Sequence, residues 1–151
     1  MTGSNKVQFY PSFDENVLAG ATMIIPAVSV GNIGQLSIDI LLATLKAKRF
    51  TSCHHPSLVP LVGSDPLDTK STELMTACDM YKPEDYSENN IILVQLRSAI
   101  ARNRNDEFLD DLLLWCTNVG ILKGKLYFRY TCLRSAHIAF LVTLHSSCYL
   151  L

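Results

Sequence analysis

The chain has 151 residues, 48% of them hydrophobic and 18% charged, with a net charge of −1. That is one domain's length, apolar enough to point to faces covered by a partner or by further sequence, and without the basic block that nucleic acid demands. Cys53, Cys78, Cys116, Cys132 and Cys148 are odd in number and irregular in spacing, which argues against a disulfide framework and for a reducing compartment.

Residues 1–16 read as a polar leading segment. Lys6 is its only cation, and Asp14 and Glu15 stand where a signal peptide would need positive charge. Residues 16–38 carry no charge, but Gly20, Pro26, Gly31, Asn32, Gly34 and Gln35 interrupt the run. Strand, turn and helix therefore fit better than a membrane span, and no membrane is expected. Ala21–Val28 is a short continuous apolar run, as in a strand buried on both faces, with Pro26 marking its end or an edge.

Asn32 is placed to cap a helix that reaches about Ala47. Ile33, Leu36, Ile40, Leu41, Thr44 and Leu45 form one apolar face at helical spacing. Ile38 and Leu42 widen it, and Asp39 is the only charge before Lys46. Such a helix is wedged between layers or lies against another chain. Lys48–Cys53 reads as a second strand, giving a β-α-β unit over 21–53 with a right-handed crossover and parallel strands.

His54–Lys70, with prolines at 56, 60 and 66, reads as a loop. Ser71–Tyr81 is expected as an edge strand, followed by a turn over Lys82–Glu88 and a stronger strand over Asn89–Leu96, the two strands forming a hairpin. Asn105 is expected to cap a second helix with Asp106 and Glu107 in its first turn. Phe108, Leu109, Leu112, Leu113, Cys116 and Val119 form its stripe, and Gly120 is its stop. Trp115 lies off that stripe and reads as cover for a core edge or as a partner anchor. Ile121–Arg134 mixes basic and aromatic residues. Ser135–Leu151 lacks Asp, Glu, Lys and Arg, but is short and wet for a membrane span.

Chemical motifs are incomplete. Ser29-Val30-Gly31-Asn32-Ile33-Gly34 puts serine where the dinucleotide fingerprint has its first glycine, and Thr51–His55 offers no ribose-binding carboxylate. No lysine follows Gly34, so a P-loop is absent as well. The helix N-terminus still offers N–H groups to an anion, which keeps a small Rossmann-like nucleotide-binding enzyme as the competing reading. Cys53-His54-His55 can converge at most two ligands from a strand, and no second cluster completes a metal set. The stretch reads as a buried cysteine with two strand-end histidines, and no metal or cofactor is expected. No G-x-S-x-G elbow is present. Arg97, Arg102 and Arg104 read as a solvated charge cluster or a site for an acidic surface.

Four separated stretches in order, PAVSVGNIGQLSIDILLATL (26–45), LVPLVGSDP (58–66), STEL (71–74) and VQLRS (94–98), resemble the proteasome assembly chaperone 2 family over roughly residues 18–120. The resemblance implies a non-enzymatic α/β protein with a Rossmann-like, purine nucleoside phosphorylase-like three-layer fold. It also implies a heterodimer with proteasome assembly chaperone 1, a role in assembling the proteasome α-subunits into a ring, and a place in cytoplasm and nucleus.

The organisation expected is a polar segment 1–16, an α/β chaperone portion 17–120, incomplete on its C-terminal side, and a divergent apolar tail 121–151. A truncated isoform, a retained intron or a frameshifted gene model would account for that tail, and a non-functional product is a third reading. Some such chaperones end in hydrophobic-Tyr-any. Tyr149 stands one place too early for that route. The residues expected to meet a partner are Val30, Gly31, Asn32, Ile33, Gly34, Gln35 and Leu36 on the turn and helix, with Gln95 and Arg97 at the strand end.

Overall fold

The computed structural model describes residues 6–26, 32–68, 70–84, 90–121, 123–129 and 139–143. Its elements are β1 (Gln8–Tyr10), a 3-10 turn (Glu15–Leu18), β2 (Thr22–Ile25), α1 (Ile33–Thr44), β3 (Lys48–His54), β4 (Val62–Ser64), β5 (Leu74–Thr76), β6 (Cys78–Lys82), β7 (Ile91–Leu96), α2 (Asn105–Val119), β8 (Lys123–Arg129) and β9 (Ala139–Thr143). Seven strands form one mixed sheet in the order β1-β3-β6-β7-β2-β8-β9, and β4 and β5 form a separate ribbon. β2 is parallel to β7 and β8. The other described pairs are antiparallel.

The sheet buries both faces because its strands alternate two apolar sets. On β7, Ile92, Val94 and Leu96 point to one core and Ile91 and Leu93 to the other. The first core is covered by α2, through Phe108, Leu112, Trp115 and Cys116. The second is covered by α1, through Ile38 and Leu42. Each fully buried Leu or Ile in these layers contributes about 1.5–3 kcal/mol over its exposed state.

The expected β-α-β unit forms, with a difference. β2 and β3 run in the same direction, but β6 and β7 lie between them. The expected hairpin does this: β6 pairs antiparallel with β7 from Cys78↔Leu96 to Tyr81↔Leu93 and slots into the gap.

Ser71–Tyr81 is not an edge strand. It breaks at Ala77 into β5 and β6, and β6 is central, flanked by β3 and β7. Asp79 holds the break. Its carboxylate is fully buried and accepts bonds from Ser52 Oγ at 2.7 Å, Thr76 Oγ1 at 2.9 Å and the Thr76 N–H at 2.9 Å. An acid in a strand suggests exposure only when its partners are out of sight. The expected loop His54–Lys70 also contains a strand, since β4 pairs with β5.

Val7, Phe9 and Phe13 of the polar leading segment build core. β1 pairs antiparallel with β3, and the Phe9 ring lies 4.6 Å from that of Trp115 and 5.4 Å from that of Phe13. Trp115 is therefore no partner anchor: it is 2% exposed, with its indole N–H donated to Glu15 Oε1 at 3.0 Å. The N-cap of α2 is Arg104, one place before the expected Asn105, and it makes no side-chain cap bond. Gly120 ends α2 as expected, at φ 77°, a left-handed conformation that costs glycine little. Among the described residues, no helix is long and apolar enough to cross a membrane.

Candidate functional site

α1 is apolar on two opposite sides. Ile38 and Leu42 are buried at 3% and 1% exposure, whereas Ile33, Leu36 and Ile40 are 63%, 60% and 59% exposed. At about 100° per residue the two sets fall on opposite sides of the helix. The expected stripe through Ile33, Leu36 and Ile40 is thus the outer face, and the residues expected only to widen it are the core. Nothing in the helix repels a neighbour there: Ser37 Oγ is turned back onto the Ile33 carbonyl at 2.8 Å.

The one charge of the helix is turned inward and neutralised. Asp39 Oδ1 accepts from Gln95 Nε2 at 2.7 Å and from Arg97 Nη2 at 3.0 Å. Gln95 Nε2 also donates to the Gln35 carbonyl at 2.9 Å. Gln95 is fully buried, on the face of β7 that α1 covers. These bonds pin the first two turns of α1 to the carboxyl end of β7. Gln35 Oε1, Gln95 Oε1 and Arg97 Nε are buried in the same seam without a partner among the described residues, a concentration that is uncommon in a finished interior.

Asn32 occupies the N-cap of α1, as expected, but in a left-handed conformation at φ 52°, with no side-chain cap bond. Side-chain capping needs an extended Ncap backbone, and asparagine tolerates the left-handed one. The structure therefore brings Gln35, Gln95 and Arg97 together around Asp39, a residue the sequence did not single out. Ile33 and Leu36 point away from them, joined by Ile40. Asn32 is exposed and Gly34 half-buried. Val30, Gly31 and Tyr149 lie outside the described residues.

A second polar cluster looks catalytic in composition but not in wiring. His55 is fully buried. Its Nδ1 accepts the Ser57 N–H at 3.0 Å, so the ring proton sits on Nε2, which faces Asp111 Oδ2 at 3.0 Å. The Ser57 hydroxyl instead donates to Glu107 at 3.1 Å. With both imidazole nitrogens engaged and the hydroxyl turned elsewhere, no nucleophile is activated. The network ties the chain after β3 to the first turns of α2. Arg104 joins it, donating to Glu107 at 2.8 Å and to the Pro56 carbonyl at 3.3 Å.

The buried thiols are equally inert. A hydrogen bond with Cys53, then burial, pushes Cys78 well above the ordinary thiol range. Burial pushes Cys116 up to about 12. Thiols held protonated are poor nucleophiles and poor metal ligands. Among the described residues no three His, Cys, Asp or Glu side chains gather to hold a metal ion.

A sequence model of the PAC2 family matches residues 23–123, from β2 through both helices. The chain belongs to the PAC2 family. Proteasome assembly chaperone 2 of Bos taurus is 35% identical over 126 residues, covering 78% of this chain and 47% of that protein. The Homo sapiens counterpart is 36% identical over 106 residues, covering 68% and 39%. The chain thus spans about half, or less, of the length of these curated relatives. Among solved structures, PbaA of Pyrococcus furiosus, described as an archaeal homolog of proteasome-assembly chaperone, superposes with a TM-score of 0.59 at 14% identity, over 80% of this chain and 47% of that one. PbaB of the same organism, described as an archaeal proteasome activator, gives 0.57 at 19% identity, over 84% and 52%. This chain shares the mixed α/β fold of these two structures.

Proposed function

We propose that this chain is a non-enzymatic chaperone of proteasome assembly, working by docking rather than by chemistry. It presents the outer face of α1 to a second family member, proteasome assembly chaperone 1, and the pair arranges proteasome α-subunits into a ring in cytoplasm and nucleus. A rigid template lowers the orientational and ordering cost of assembling several subunits. Family membership and the names of the relatives support the process. The observation that carries the mechanism is the neutral, exposed Ile33–Leu36–Ile40 face, fixed in place from beneath by Gln95, Arg97 and Asp39. Gln95 and Arg97 then act as positioning residues, while Ile33, Leu36 and Ile40 make contact. The sheet with α1 and α2 on opposite faces supports reading this portion as one side of a purine nucleoside phosphorylase-like three-layer domain.

The test is co-expression with proteasome assembly chaperone 1, followed by co-purification and identification of captured α-subunits. The expected result is a soluble complex that the double variant Leu36→Asp/Ile40→Asp loses while keeping its own fold. An insoluble chain that captures neither partner nor α-subunits overturns the reading, as does capture that the α1 variant leaves intact.

A further inference from the structure

Of the family-like stretches, LVPLVGSDP contains β4 and STEL ends on the first residue of β5, and the proposed docking face of α1 does not use the ribbon that these two strands make. One side of the ribbon is the more deeply packed. Met75 is 2% exposed and receives the Tyr81 hydroxyl on its sulfur at 3.2 Å. The other side carries Val62 and Leu74, 67% and 61% exposed, with Leu61 and Leu67 flanking at 39% and 45%. The register Val62↔Thr76, Ser64↔Leu74 puts both exposed residues on one face.

The two edges of the ribbon differ. Along β5, Arg49 donates to the Leu74 carbonyl at 2.6 Å and pairs with Glu73 at 2.9 Å, so that edge is in use. Among the described residues, β4 has β5 as its only strand neighbour. No described atom lies within 4 Å of where a Cβ on Gly63 would stand, and a strand glycine of this kind admits another backbone at close range. A two-stranded ribbon is marginal in water and gains from a third strand.

Charge selects the occupant. Asp65 and Asp68 follow β4, and among the described residues their carboxylates accept the local N–H groups of Leu67 at 2.8 Å and Lys70 at 2.9 Å. Among the described residues neither is in an ion pair, unlike Asp39, Glu73, Glu107 and Asp111. We infer that β4 captures an extended segment of a partner protein as a third strand, with apolar residues at alternate positions and a basic end against Asp65 and Asp68. Main-chain bonds supply the affinity and the alternate side chains the selectivity, as in strand addition generally. The inference is independent of the proteasome reading.

The test is an NMR titration of the full chain with the capped heptapeptide KTVTVTK and its acidic twin ETVTVTE. KTVTVTK is expected to shift the Val62–Ser64 amides saturably and to slow their exchange with solvent, and ETVTVTE to bind at least about tenfold more weakly, the ratio that ~1.4 kcal/mol supplies. Val62→Lys/Leu74→Lys, at exposed positions, abolishes the shifts with an unchanged thermal midpoint. Asp65→Lys/Asp68→Lys inverts the preference between the peptides, and Leu36→Asp leaves both unaffected. Equal binding of the two peptides, shifts centred on α1, or no saturable response at millimolar peptide overturns the inference.

Discussion

Asp39 on α1 and Arg97 just beyond β7 meet at 3.0 Å, with 24% and 16% of their side chains exposed. The pair locks the helix that carries the proposed docking face onto the sheet. Asp39→Ala strands a largely buried guanidinium and the Gln95 amide, and is expected to cost about 1–3 kcal/mol. Urea unfolding measures it. A loss below about 0.5 kcal/mol would place the pair among inconsequential surface contacts.

The two apolar sides of α1 separate stability from binding. Ile38→Ala or Leu42→Ala is expected to cost about 2–5 kcal/mol through lost burial and a residual cavity. Leu36→Ala or Ile40→Ala is expected to stay within about 0.5 kcal/mol, while weakening capture of the partner chaperone. Denaturant midpoints alongside pull-down yields distinguish the two sides.

Trp115 joins α2 to the 3-10 turn through Glu15. Trp115→Ala is expected to cost about 3–5 kcal/mol, and Glu15→Ala about 0.5–1.5 kcal/mol for the lost bond. It is the only tryptophan in the chain, so its own fluorescence reports the Glu15 variant and circular dichroism reports the Trp115 one.

Acid should find Glu107. The bond from Lys6, with those from Arg104 and Ser57, lowers its carboxyl from 4.5 to about 2. Because the folded value is the lower one, the unfolded chain takes the proton first. Glu107's contribution is present above about pH 4.5 and is lost as pH falls toward 2. Glu107→Gln should flatten the acid limb of stability against pH, and Lys6→Ala should flatten it in part. Added salt should shrink the difference, since the group is open to solvent.

Strong local patterns were legible in the chain. The apolar run of β7, the hairpin partner ahead of it, the stripe of α2 and the stop at Gly120 all follow from period and turn chemistry. Even Trp115 was readable in principle, since 108, 112, 115 and 116 share one helical face. Of the proposed docking surface, Ile33, Leu36, Gln95 and Arg97 were named from the sequence; Ile40 was read on the same helical face but not as a contact, and the role of Asp39 was not read.

The sequence by itself determined the two helices and the strands β2, β3 and β7 to within a few residues, which runs are apolar enough to be buried, and to which family the chain belongs. Only the tertiary structure decided which way α1 faces, that β1 and β4 are strands, that β6 is central, and that Val7, Phe9 and Phe13 pack on the core. The reason is the same each time. A helix apolar on both sides has no preferred inward face from its own period, and the usual cue, a charge marking the outside, is reversed at Asp39 because its partner Arg97 arrives from 58 residues away. Asp79 misleads in the same manner: Thr76 donates locally, but Ser52, 27 residues earlier, is brought by the fold. Burial of a polar group depends on partners brought by the fold, and these lie outside any local window.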